Sequence, residues 1–201
     1  MPNLGRNFTL FRIFGFPIKI HPTWLLLFLL IVFSLASRKG VFQTWLAEEQ
    51  LSQTTFWILG VVGALGLFAS LIAHELCHSI VARSTGMPVK GITLFIFGGV
   101  SEMEDEPPTA LSEFLMAVVG PASSVLIGAA LTAFWLVAKQ FDWAPTGGAL
   151  LGWLALINFM LAAFNSLPAF PLDGGRVVRS VLWGLLEDLR RATSIAARLG
   201  S

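Results

Sequence analysis

TFWILGVVGALGLFASLIAHELCHSIVAR, residues 55–83, joins a long uncharged run to a tight cluster of ionisable side chains. No charged residue lies between Gln50 and Ala73, and then His74, Glu75 and His78 arrive together. A run of this length and character reads as a membrane-spanning helix. At 1.5 Å per residue it extends roughly 42 Å, beyond the ~30 Å hydrocarbon core, so its final third lies within the bilayer yet near one surface. Insertion scales put a carboxylate at a helix centre at a cost of roughly 2.5–3.5 kcal/mol, which makes ionisable residues in such a helix functional candidates.

On a helix, His74 and His78 are one turn apart on the same face, where both imidazoles reach a single metal ion. Glu75 occupies the neighbouring face. HExxH is the spacing in which two histidines hold Zn2+ and the glutamate takes a proton from the attacking water. Cys77, the sole cysteine, excludes an internal disulfide and reads as a small packing residue rather than a soft ligand.

The rest of the chain suits a membrane setting. It is 55% hydrophobic and 12% charged, with a mean hydropathy of +0.76, a composition that a water-soluble domain of this length does not tolerate on its surface. The net charge of +1 offers no strong attraction for nucleic acid, and no such partner is expected. The expected fold class is an all-α polytopic membrane protein, a single domain over residues 1–201, with short membrane-associated β-strands. About five spans are expected, near residues 22–37, 55–83, 111–138, 148–167 and 174–187, with a sixth missing or incomplete.

Residues 1–22, broken by Arg6, Arg12, Lys19 and three prolines, do not form a cleavable signal, and residues 8–20 predict a short strand or hairpin at the interface. His21 reads as a structural histidine. Residues 91–103, GITLFIFGGVSEM, have strand composition with a break at Gly98-Gly99. A strand edge cannot face lipid, so this segment either lines a wet cavity, where an extended substrate could add to it, or forms a small capping hairpin. Residues 102–106 read as a solvated acidic loop, and Glu113 as a charge that stabilises the N-terminus of the third span. Gly120-Pro121 predicts a kink or a close helix contact.

The second informative stretch is NSLPAFPLDGGR, residues 165–176. Pro168 and Pro171 break helix geometry and leave carbonyls free, which is tolerable at membrane depth only in a protein-lined or watery pocket. Asp173 has two readings at this point. It caps the following helix, or it completes a zinc site of two histidines and one carboxylate with His74 and His78 and leaves a fourth position for water. The distribution of basic residues gathers Arg6, Arg12, Lys19, Arg83, Lys90, Arg176 and Arg179 on one side against Arg38, Lys39 and Lys139 on the other. The first set is expected to be cytoplasmic, which places the end of the HELCH helix and the Asp173 loop together.

Taken together, HELCHSIVA with Ala82 at its close, FGGV at residues 97–100, GPASS at residues 120–124 and NSLPAFPLDGGR resemble the site-2 protease family of intramembrane zinc metalloproteases. The leading hairpin and IHPTW are similar to the branch that often carries CBS domains, none of which is expected in this chain. The resemblance implies one Zn2+ per chain on His74, His78 and Asp173, with Glu75 as general base. It implies that Asn165 holds the substrate or the oxyanion, and it directs attention to Phe97, Gly98, Gly99 and Val100 as substrate contacts. The implied partners are the lipid bilayer and a single-span transmembrane substrate of the anti-sigma or precursor transcription factor class. The implied location is the cell membrane, multi-pass, with a cytoplasmic N-terminus and an active site near the cytosolic side. The competing readings are a non-catalytic membrane metal-binding or transport protein, for which the other spans offer few polar residues, and a pseudoprotease, against which the intact motif positions argue.

Overall fold

The computed structural model describes residues 7–199 apart from residues 97, 104, 105 and 142. The chain begins with β1 (Phe8–Ile13) and β2 (Phe16–Ile20), an antiparallel pair. Their turn is made by Phe14 and Gly15 with φ of 49° and 87°, the left-handed pair that matches the twist of a two-residue hairpin. The hairpin is pinned to the bundle by Arg83, whose Nη1 donates to the Phe14 carbonyl at 2.8 Å and whose guanidinium lies 4.3 Å over the Phe16 ring.

From β2 the chain runs away through α1 (Thr23–Ala36), turns through α2 (Val41–Trp45), and returns along α3 (Gln53–Ser84). It then forms β3 (Val89–Phe95) and β4 (Gly98–Met103). The sheet order is β1-β2-β3-β4, with β2 parallel to β3 and the other pairs antiparallel. Parallel strands require a crossover, and here the crossover is the α1–α3 helical pair. The sheet therefore sits where α1 begins and α3 ends, beside the last turns of the HELCH helix. At the opposite end α2 plugs the bundle, packing Phe42 and Leu46 against Leu35, Phe56, Leu59 and Trp153.

Next come α4 (Ala110–Ala138), a short 3-10 turn at Lys139–Phe141, α5 (Pro145–Asn165), α6 (Asp173–Leu186) and α7 (Leu189–Leu199). The start of α4 is fixed by a reciprocal cap, with Thr109 Oγ1 accepting from the Ser112 amide at 3.1 Å and Ser112 Oγ from the Thr109 amide at 3.0 Å. Pro145 starts α5 at a position where its missing N–H removes nothing. Four helical stretches are long and apolar enough to cross a membrane: Thr23–Trp45, Gln53–Ser84, Ala110–Phe141 and Pro145–Asn165. The fifth expected span is present as α6, but its 14 residues reach only about 21 Å. It starts at Asp173, within one residue of the expected bound, and Glu187, at φ 53°, ends it.

Two sequence expectations change. Glu113 lies in the first turn of α4 but does more than face its dipole: it is fully buried. Its Oε1 accepts from Arg179 Nε at 2.7 Å and from Arg179 Nη2, with Arg176 Nε 3.9 Å away. Arg176 and Arg179, which the charge count treats as orientation signals, thus tie α6 to α4. Removing the anion leaves the largely buried Arg179 guanidinium uncompensated, so Glu113→Ala is expected to lose about 3 kcal/mol of stability, measured as a lowered unfolding temperature in detergent. Glu102 is likewise not in a solvated loop but on β4, where Lys19 Nζ donates to it at 2.6 Å and Thr93 Oγ1 also donates. Partial burial raises its pKa, and these bonds with the charges of Lys19 and Lys90 outweigh that, holding the carboxyl below its usual value.

Candidate active site

His74 and His78 sit one turn apart on the buried face of α3, and Asp173 is the first residue of α6. The three converge. His74 Nε2 lies 3.1 Å from Asp173 Oδ2, His78 Nε2 lies 3.2 Å from the same oxygen, and the two Nε2 atoms are 3.1 Å apart. Residue Asp173 makes no capping bond with its side chain, and the N-cap position is taken by Leu172. Its carboxylate is committed to the histidines, which disposes of the cap reading.

The approach of α6 depends on two glycines. A Cβ at Gly174 would meet the Ser166 and Leu167 carbonyls, and one at Gly175 would stand 2.8 Å from the Ala169 carbonyl. The segment from Asn165 to Asp173 folds into tight turns against the start of α6, and only glycine fits beneath them.

Each imidazole is oriented by its other nitrogen. His78 Nδ1 is 2.6 Å from the Met116 carbonyl oxygen, which can only accept, so Nδ1 carries the proton and Nε2 presents a lone pair. His74 Nδ1 is 3.0 Å from Ser124 Oγ, a fully buried hydroxyl on α4. With Ser124 accepting, His74 also turns a bare Nε2 inward. This is the outer support that metal-binding histidines require.

The trio fits zinc. Tetrahedral zinc with bonds of about 2.0–2.1 Å has donor-to-donor edges of about 3.3 Å, and the three observed edges are 3.1–3.2 Å. Room for an ion beside the nitrogens comes from Gly120 on α4. A Cβ there would stand 2.7 Å from His74 Nε2 and closer still to His78 Nε2. The expected close contact at Gly120-Pro121 is therefore real, and α4 continues through Pro121 as helix. Among the described residues this trio is the one cluster of histidine, cysteine and acidic groups placed to hold a metal. His21 instead bonds Thr23 Oγ1 at 2.8 Å, and Cys77 lies outside the cluster.

A cavity of about 420 Å³ opens beside the trio, lined by Glu75, Asn165 and Arg176 and by Gly98, Gly99 and Val100 of β4. Phe97 lies outside the described residues. Glu75 is half-buried, and its Oε2 accepts from Ser101 Oγ at 2.8 Å. Strand β4 lies close on this side chain: a Cβ at Gly99 would be 2.9 Å from Glu75 Cγ. Asn165 Nδ2 donates to the Leu161 carbonyl at 2.9 Å and lines the cavity wall. Sequence reasoning missed Ser101, Met116, and the inward turn of Arg176. The sequence signals were the hydroxyl in FGGVS and the i, i+3 arginines facing a lone acid on another span. The Met116 contact is through its backbone and left no signal.

The model of peptidase family M50 matches residues 62–144 and 138–201. The chain belongs to this family, the site-2 proteases. It is 40% identical over 197 residues to the Synechocystis sp. protein sll0528, covering 98% of this chain and 50% of that protein. It is 36% identical over 200 residues to the zinc metalloprotease MJ0392 of Methanocaldococcus jannaschii, covering 98% and 51%. The solved site-2 protease from Methanocaldococcus jannaschii superposes with a TM-score of 0.61 at 34% identity, over 97% of this chain and 80% of that one. The chain spans about half the length of these curated relatives. As in an M50 family of zinc metalloproteases, zinc is the metal that the trio implies, and the four apolar helices make this a multi-pass membrane protein.

Proposed function

We propose that the chain is the catalytic membrane part of a zinc endopeptidase that cuts a single-pass regulatory membrane protein within or near its transmembrane segment. The observation that carries this reading is the opening of the trio, two histidines and one carboxylate, and of a separate carboxylate, Glu75, onto one cavity at the end of a spanning helix. His74, His78 and Asp173 would hold the zinc. Zinc bound there supplies Lewis acidity, which makes water a competent nucleophile near neutral pH. Glu75 accepts the proton of the attacking water and returns it to the leaving amine nitrogen. Asn165 spends one amide proton on Leu161 and has a second to offer the substrate carbonyl as it becomes an oxyanion.

A helical substrate hides its carbonyls in intrahelical bonds and must unwind to be cut. Strand β4 ends the sheet on the cavity side, and its outer edge is the surface on which an unwound segment adds by backbone pairing. Gly98, Gly99 and Val100 are the contacts this reading assigns, together with Phe97. The clustering of Arg12, Lys19, Arg83 and Lys90 at the sheet end supports a cytosolic placement of this end and of the N-terminus.

Cysteine cross-linking tests the strand. Val100 is 46% exposed, and in a Val100→Cys, Cys77→Ser, Glu75→Gln protein it is expected to link to alternate positions of a cysteine-scanned single-span substrate, because strand side chains alternate. Links recurring every three or four positions mean that an intact helix docks, and they contradict strand addition.

A further inference from the structure

We infer that Ser101 is a positioning residue for Glu75, fixing which of its two carboxylate oxygens works as the base; the inference rests on the hydrolytic reading above. Ser101 has one hydroxyl proton and three oxygens within reach. Glu75 Oε2 is 2.8 Å away, and the Glu75 carbonyl and Ser79 Oγ are each 3.1 Å away. The charged oxygen is the nearest and the strongest acceptor, so it takes the proton. Ser79, fully buried on α3, then donates to the Glu75 carbonyl at 2.9 Å, which holds the turn beneath the glutamate. Among the described residues Glu75 Oε1 accepts no hydrogen bond, and Glu75 lines the cavity.

This asymmetry assigns the atoms. The O–H bond of the attacking water breaks and its proton goes to Oε1, giving a neutral acid whose Oε2 still accepts from Ser101. The proton then leaves Oε1 for the amine nitrogen as the C–N bond breaks, and the starting carboxylate is restored. Without the serine hydroxyl the two oxygens are equivalent, the carboxylate rotates, and the proton is shared between productive and unproductive positions. Ser101 stands on β4, two residues from Gly99, so the strand proposed to receive substrate also aims the base.

The test is steady-state hydrolysis of a single-span substrate by wild type, Ser101→Ala and Ser101→Thr, with zinc measured in each. Ser101→Ala is expected to lower kcat roughly 10- to 100-fold, the loss of one hydrogen bond to a charged group, with KM and zinc content unchanged. Ser101→Thr, which keeps the hydroxyl, is expected to stay within about threefold of wild type in kcat, since that bond is retained. A wild-type kcat in Ser101→Ala overturns the inference. So does a rise in KM alone, a loss of zinc, or an equal fall in Ser101→Thr, since each makes Ser101 a packing residue of the strand. A wild-type protein that cleaves nothing removes the hydrolytic reading itself, and is thereby distinguished from failure of this inference.

Discussion

Glu75→Gln is expected to abolish cleavage of a single-span substrate while zinc stays bound at wild-type stoichiometry. The amide is nearly isosteric with the carboxylate and its oxygen can still accept from Ser101, so the local packing of β4 on α3 is retained. What is lost is the ability to take a proton. Positioned acid-base groups contribute about 10²- to 10⁴-fold to rate, and kcat should fall by at least that range. Because Glu75 is outside the donor trio, the metal should remain. Zinc analysis alongside gel-based cleavage checks both halves, and retained turnover in this variant contradicts the assigned base.

Gly120→Ala is expected to have an effect of comparable size by a different route. Its new methyl would stand 2.7 Å from His74 Nε2 and nearer to His78 Nε2, inside the space the ion needs. Neither neighbour can yield cheaply. Moving the imidazoles breaks the Met116 and Ser124 bonds that orient them, and moving α4 disturbs its buried ion pair to α6. The variant should therefore fold with its spans intact and lose zinc and cleavage together. Val118→Ala, on the partly exposed side of the same turn, is the control and should keep its zinc. Normal zinc content in Gly120→Ala means that the metal lies elsewhere.

The sequence made local and periodic features legible. Uncharged runs marked the four long helices because every lipid-facing position must be apolar, and HELCH marked its own metal face because helical spacing is fixed by the backbone. The N-terminal hairpin within residues 8–20 and the strands around Gly98 followed from composition. Asp173 was legible as a candidate, but deciding between cap and ligand needed the fold, since the histidines lie nearly a hundred positions earlier. Partners across helices were not legible. Glu113 gives the same sequence signal whether it faces solvent at a helix start or meets Arg179, and Glu102 looked like loop because its partner Lys19 lies in the N-terminal hairpin. The bounds of α6 were legible to within one residue, but an apolar run does not say whether it spans or lies along the bundle, and 14 residues are too few to cross a bilayer.

The most direct test of a zinc-dependent intramembrane cut uses purified wild-type protein in proteoliposomes with a single-span substrate, with the product termini mapped by mass spectrometry. The account predicts one zinc per chain, a cut within or beside the apolar segment, loss of cleavage on chelation with 1,10-phenanthroline, and recovery on adding zinc. Cleavage that persists in zinc-depleted protein, or a cut confined to the substrate's soluble domain, contradicts it.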